Sequence, residues 1–277
     1  MFKKLALIPL LLSSAAFAEP NIVMSEAAQD KINLILNFNN ANKVTYFETK
    51  NEMIGVSVVN ENSFRKELFY TNDEADFIIK GLMIDTKSHE NLTQGHYQSI
   101  KLPNVVEEDI QDFVKASGIT QGTGDNEVIA FIDVNCPACH QAWKQYQEVL
   151  DDENSNLKVT WVPLAWLGQD SKFKAQMLLG EAKEKQLALL KSYMSKAPLL
   201  PENDKMNAGK SLVEANGFIL KARRIQGVPF VLAKVNNKWS VSPGIPSRDH
   251  FASLKPKPLP NNKTVKSDNS SQLNSPR

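Results

Sequence analysis

The chain has 277 residues, 32 Lys and Arg against 31 Asp and Glu, a formal charge of +1 and two cysteines. So even a balance excludes the electrostatic footprint of a nucleic-acid binder or of a protein held on an anionic membrane surface. The length suits about two domains of roughly 100–150 residues each.

Residues 1–18 read as a secretory signal peptide. Lys3 and Lys4 precede the apolar run Leu5–Leu12, and Ala16-Phe17-Ala18 supplies the small–x–small cleavage pattern. The run is shorter than the roughly 20 residues that span a bilayer. A soluble mature chain starting near Glu19 and exported to an oxidising compartment is expected. Ser25–Asn37 reads as a helix, with Ala28, Ile32, Ile35 and Leu36 at helical spacing. "KVTYFETK", "MIGVSVVN", "KELFYT" and "FIIKGLMID" then read as strands between turn-rich pieces. Residues 19–103 thus form a small α+β unit. In 105–117, Val106, Ile110, Phe113 and Val114 mark an amphipathic helix, closed by Gly118 at a left-handed C′ position. The polar "TQGTGDNE" follows, so 104–122 reads as a linker helix and loop.

The second unit, 123–255, opens with the apolar run Val128–Val134, which leads directly to Cys136. A helix follows from Pro137 to about Glu153, with Trp143, Tyr146 and Leu150 on its buried side. "LKVTWVPL" is the next strand. Phe173–Met194 and Lys205–Arg224 are helical stretches broken by "KAPLLPEND". "GVPFVLAKVNNKWSVSPG" gives two strands joined at Asn236-Asn237, and Ser247–Leu254 a closing helix. This order, β-α-β-helices-β-β-α, is that of an α/β thioredoxin-like domain with a helical insertion. Residues 256–277 carry almost no apolar side chains and read as a disordered tail.

Both cysteines lie in "FIDVNCPACHQAW". A bridge between residues three apart closes too short a loop to add much stability, so the pair is there for its chemistry. As C-x-x-C after a strand, Cys136 and Cys139 form a redox dithiol. Cys136 stands at the helix start, where a thiolate is favoured. Pro137 suits the first helical position, which has no use for an N–H. Cys139 follows one turn on, within reach of a disulfide. Cys136 is expected to be exposed and to attack; Cys139 is expected to be shielded and to resolve. Ala138 adds neither charge nor donor. Gly227-Val228-Pro229-Phe230 is the candidate for the site's second half. A cis Pro229 would present the Val228 backbone to a substrate peptide, the alternative being an ordinary trans proline at a strand start.

With His140 the same stretch also fits C-x-x-C-H, the haem-attachment pattern. Haem needs a further axial ligand, and the remaining Met and His residues sit in no recognisable ligand loop. Zinc would find three ligands in Cys136, Cys139 and His140 and no fourth. His89, His96 and His250 read as solvated surface residues, Trp161 and Trp166 as core. No metal and no cofactor is expected beyond the Cys136–Cys139 disulfide itself.

On these residues the chain resembles the DsbC/DsbG family of periplasmic thiol:disulfide interchange proteins. "FIDVNCPACHQAW" is similar to that family's active-site strand, dithiol and helix, with Asp133 three before the first cysteine. "ELFYTNDEADFIIKGLMIDTKSHENLT" is similar to the second half of its N-terminal dimerisation domain. The resemblance implies a V-shaped homodimer with linker helices as arms and two dithiols facing one cleft. It also implies isomerase or reductase work on unfolded or misoxidised exported proteins, and a DsbD-like inner-membrane thiol reductant as partner. Two cysteines place the chain nearer DsbG. Val228 stands where that family commonly has threonine, as in the oxidase DsbA, and Pro137-Ala138 also departs from its dipeptides. An oxidase and a chaperone-like binding module are therefore the alternatives.

Overall fold

The computed structural model describes residues 21–49, 52–103, 105 and 107–255. The signal peptide read at 1–18, Val106 and the tail at 256–277 lie outside the described residues.

Ser25 caps the first helix, its Oγ accepting from Ala28 N at 3.2 Å, and Asn37 ends it in the left-handed region. Around that helix, α1 (Glu26–Leu36), the first unit places β1 (Asn21–Ile22), β2 (Asn42–Glu48), β3 (Ile54–Asn60) and β4 (Arg65–Thr71). The strands pair antiparallel in the order β1-β2-β3-β4. Ala28 and Ile32 pack on Val56, Val58 and Phe69 across one face of the sheet. Phe47, Val59, Leu68, Tyr70 and Ile100 fill the other face. A short helix, α2 (Leu92–Ser99), covers that side, with His96 inside rather than on the surface; its Nδ1 lies 3.1 Å from Tyr70 Oη.

"FIIKGLMID" is not a strand. It makes only isolated bridges, Tyr70 to Ile79 and Ile84 to Asn91, and leaves Phe77, Ile79, Leu82 and Ile84 exposed.

The second unit comprises α3 (Glu107–Val114), β5 (Ile119–Gly122), β6 (Asn126–Ile132), α4 (Pro137–Leu150) and β7 (Leu157–Pro163). It continues with α5 (Gln169–Gly180), α6 (Lys183–Met194), α7 (Asn203–Ala222), β8 (Phe230–Val235), β9 (Lys238–Pro243) and α8 (Arg248–Leu254). The sheet order is β5-β7-β6-β8-β9, with β6 and β7 parallel and the other pairs antiparallel. This is the thioredoxin topology, with α5–α7 inserted between β7 and β8. The polar segment read as loop supplies β5, an edge strand. Among the described residues its one hydrogen-bonded neighbour is β7, and an edge tolerates polar side chains. Asn236 and Asn237 both have positive φ, 50° and 61°, as a two-residue type I′ hairpin requires.

The helix read as a linker is packed onto this sheet. Ile110 and Phe113 are fully buried, and Phe113 lies 5.8 Å from Phe131 and 5.5 Å from Phe230 between ring centroids. Phe64, from the turn before β4, joins the same cluster 6.2 Å from Phe230, so the two units share a core. Val114, expected to be inward, is exposed. Gly118 is not a left-handed cap. A Cβ there would lie 2.6 Å from Thr160 and 2.9 Å from the Trp161 carbonyl, so glycine serves a close approach to β7. The stretch 173–194 divides at Glu181-Ala182 into α5 and α6. The buried side of α4 is Cys139, Ala142, Tyr146 and Val149, with Trp143 and Leu150 only half-buried.

His250 is a second histidine that is not a solvated one. Tyr146 Oη and its Nε2 share a hydrogen bond at 2.7 Å, and burial pulls its pKa from 6.5 down to about 4. The unfolded chain therefore takes up a proton near pH 6.5 that the folded chain refuses until about pH 4. The contribution is complete above pH 6.5 and is lost as pH falls towards 4. At pH 4.5 the loss is about 2–3 kcal/mol. Urea denaturation at pH 7 and 4.5 should show His250→Gln losing that much less stability on acidification than the parent chain.

Candidate active site

β6 is the central strand of its sheet and ends in a turn, Asp133-Val134-Asn135, that delivers the dithiol. Cys136 N donates to Asp133 O at 3.0 Å, and His140 N to Cys136 O at 3.1 Å, which begins the ladder of α4. Cys136 is the N-cap (φ −82°, ψ 120°) and Pro137 the first helical residue, as the sequence predicts. Pro137 is exposed and Ala138 half-buried.

Cys136 and Cys139 are both free thiols. Cys139 is fully buried, and burial pushes its thiol well above the usual range, so it stays protonated at neutral pH. Cys136 is less open than expected, 8% exposed. The reason is the facing loop: its Sγ donates to Val228 O at 3.6 Å. The Val228–Pro229 peptide bond is cis. Val228 is half-buried, and Pro229, buried beneath, accepts from Gly244 N at 2.8 Å. Cys136, Cys139, Val228 and Pro229 thus come together.

His140 is tied inward, its Nε2 donating to Val134 O at 2.7 Å. Among the described residues no three His, Cys, Asp or Glu side chains gather as a metal ion requires. Trp161 is core, its ring centroid 4.5 Å from that of Trp143 with the planes tilted by 48°.

The residue whose weight sequence reasoning missed is Asp133, fully buried beneath the dithiol turn. Oδ1 accepts from Asn135 N at 2.9 Å and Ser171 Oγ at 2.8 Å. Oδ2 accepts from Trp166 N at 2.8 Å and Leu167 N at 3.0 Å. Asn135 continues the network to Asp170 (2.7 Å) and Ser171 (2.9 Å), and Lys174 Nζ reaches Asn135 Oδ1 at 3.0 Å. Lys174 also pairs with Asp170 at 2.7 Å, which holds the Asp170 carboxyl below the usual carboxylate range. The available signal was an aspartate inside an apolar run, a charge that is buried only when every lone pair is answered. With two donors on each oxygen, Asp133 is a positioning carboxylate rather than a free base.

No protein-family model matches the chain, and no curated protein matches it. Among solved structures it is similar to the catalytic domain of Proteus mirabilis ScsC (18% identity, 53% of this chain and 93% of that one, TM-score 0.44). It is also similar to a periplasmic thioredoxin-like protein from Salmonella enterica serovar Typhimurium (18% identity, 54% and 95%, TM-score 0.43). A third is the thiol-disulfide exchange protein alpha-DsbA2 from Wolbachia pipientis (14% identity, 53% and 92%, TM-score 0.43).

Asp133→Asn replaces an accepting oxygen by an NH2 group facing backbone or hydroxyl donors. It should cost about 3 kcal/mol in urea denaturation. Ser171→Ala, which removes one neutral donor, should cost about 1 kcal/mol.

Proposed function

We propose that the protein is a thiol–disulfide oxidoreductase acting on exported polypeptides in the periplasm, in the isomerase or reductase direction. The observation that carries this is the asymmetric dithiol. Cys136 caps a helix start beneath the Val228 carbonyl, and Cys139 lies one turn deeper, fully enclosed. The Cys136 thiolate attacks one sulfur of a substrate disulfide. That S–S bond breaks, the other substrate sulfur leaves as thiolate, and a mixed disulfide to Cys136 remains. Two exits follow. In the first, the freed substrate thiolate opens another substrate disulfide, and the thiolate released there attacks the substrate sulfur of the mixed disulfide; that bond breaks, a rearranged substrate disulfide forms and Cys136 leaves as thiolate, which is isomerisation. Otherwise Cys139 loses its proton and attacks the Cys136 sulfur; the Cys136–Cys139 disulfide forms and the substrate leaves as a dithiol. Burial keeps Cys139 protonated and slows the second exit, which gives a substrate time to rearrange. No cofactor enters beyond the dithiol itself. A DsbD-like membrane reductant would return the disulfide form to the dithiol.

Homodimerisation through the first unit belongs to the same proposal. Phe77, Ile79, Leu82 and Ile84 stay exposed along a segment that makes only isolated bridges, as an unsatisfied pairing edge would. The Val228 that departs from the DsbC/DsbG pattern supports the oxidase alternative.

A scrambled multi-disulfide substrate should regain activity with the partly reduced protein and not with Cys136→Ala, while Cys139→Ser should accumulate mixed disulfides on non-reducing gels. Rapid oxidation of a reduced substrate without unscrambling would select the oxidase direction instead. Leu82→Glu with Ile84→Lys should shift the sedimenting species from dimer to monomer and leave the far-ultraviolet circular dichroism unchanged.

A further inference from the structure

The Val228 loop has a second side. There the surface opens into a groove of about 300 Å³ lined by Arg65, Lys66, Tyr97, Arg224, Gly227 and Val228. Arg65 and Lys66 come from β4 and Tyr97 from α2 in the first unit. Arg224, Gly227 and Val228 come from the second, so neither unit has this groove alone. Phe64, adjoining Arg65, fixes the arrangement by inserting into the core around Phe230.

Three cations line the groove, and they are not equally satisfied. Arg65 pairs with Glu67 at 2.9 Å, and the same carboxylate also serves Lys80 at 3.2 Å. Lys66 and Arg224 have no carboxylate at salt-bridge distance among the described residues. Lys66 is half-buried, its ammonium lying 5.4 Å from the Tyr97 ring centre, and burial lowers its pKa. An aromatic face only partly answers a desolvated cation. The hollow on the other flank of the dithiol differs: its inner cation, Lys174, already pairs with Asp170 and Asn135.

Val228 links this charge to the chemistry, for its carbonyl meets the Cys136 thiol while its other side lines the groove. A polypeptide joined to Cys136 and lying along Val228 would have the groove of Lys66 and Arg224 beside it. We propose that this groove is a specificity subsite for an acidic side chain close in sequence to the reacting cysteine of the substrate. The inference rests on the oxidoreductase reading above for what the polypeptide is doing there. It goes further in naming the substrate's charge and in giving the first unit a part in recognition at its own chain's dithiol.

The test uses labelled peptides of equal length with serine in place of the reacting cysteine, flanked by Glu, Gln or Lys, and measures binding to the mature chain by fluorescence anisotropy. At low salt the Glu peptide should bind about fivefold more tightly than the Gln peptide, and the Lys peptide most weakly. The preference should shrink at high ionic strength. Lys66→Gln with Arg224→Gln should abolish it, and Lys66→Arg should keep it. Equal binding of the Glu and Gln peptides, or a preference that survives both Gln substitutions, overturns the proposal. Cysteine versions of the peptides then separate the two readings. Glu-selective binding without exchange on any peptide would overturn the oxidoreductase reading and leave the groove standing. Exchange without selectivity would overturn the groove alone.

Discussion

A carboxylate sealed under the end of the central strand is the constraint on which the site depends. Asp133 is fully buried, and an unanswered charge there would cost several kcal/mol. Its four donors come from the dithiol turn, the segment after β7 and the first turn of α5. Satisfying the charge therefore means holding three chain segments in one place. Asn135 extends the hold to Asp170 and Lys174, and the Asp133 carbonyl receives the N–H of Cys136 itself. Cys136 is placed by this network rather than by its own side chain, which makes no cap hydrogen bond within the helix.

From that placement follows the inequality of the two sulfurs. A helix turn carries Cys139 inward from Cys136, into contact with the same core cluster as Trp161 and Tyr146. The inner thiol is desolvated and holds its proton; the outer one, covered by the facing loop, meets the Val228 carbonyl. Under the proposed function, position along one helix is enough to separate attacking from resolving roles. Neither role draws on the imidazole next to Cys139, since His140 is committed to the Val134 carbonyl.

What the sequence made legible was the part encoded in contiguous residues. The apolar run ending at Cys136, the proline after it, the Asn236-Asn237 hairpin and the Val228-Pro229 pair each carry their own local reason. The losses share one cause: their reasons lie elsewhere in the chain. β5 is polar because it is an edge, and only β7 explains it. "FIIKGLMID" has strand composition, yet within one chain it pairs at isolated points. His96 and His250 look like surface residues until Tyr70 and Tyr146 are placed against them. Gly118 suits a helix cap on paper, whereas its lack of a side chain serves Thr160 and Trp161 across the sheet. Asp133 was visible as an oddity in "FIDV", but its donors, Trp166, Leu167 and Ser171, come from more than thirty residues away.

Phe64 bears on how the two units relate. A connector helix free of both domains would let a dithiol swing relative to the domain that recognises or dimerises. Here α3 spends Ile110 and Phe113 on the second sheet, and Phe64 reaches the same cluster from the first unit. Burying one phenylalanine side chain contributes about 2–3 kcal/mol, enough to favour a docked arrangement by more than tenfold. A docked first unit keeps Lys66 and Tyr97 beside the Val228 loop through each encounter with substrate. In the proposed subsite, selectivity would then be built from residues more than a hundred positions apart in sequence, Lys66 from the unit that carries no cysteine and Arg224 from the unit that carries the dithiol.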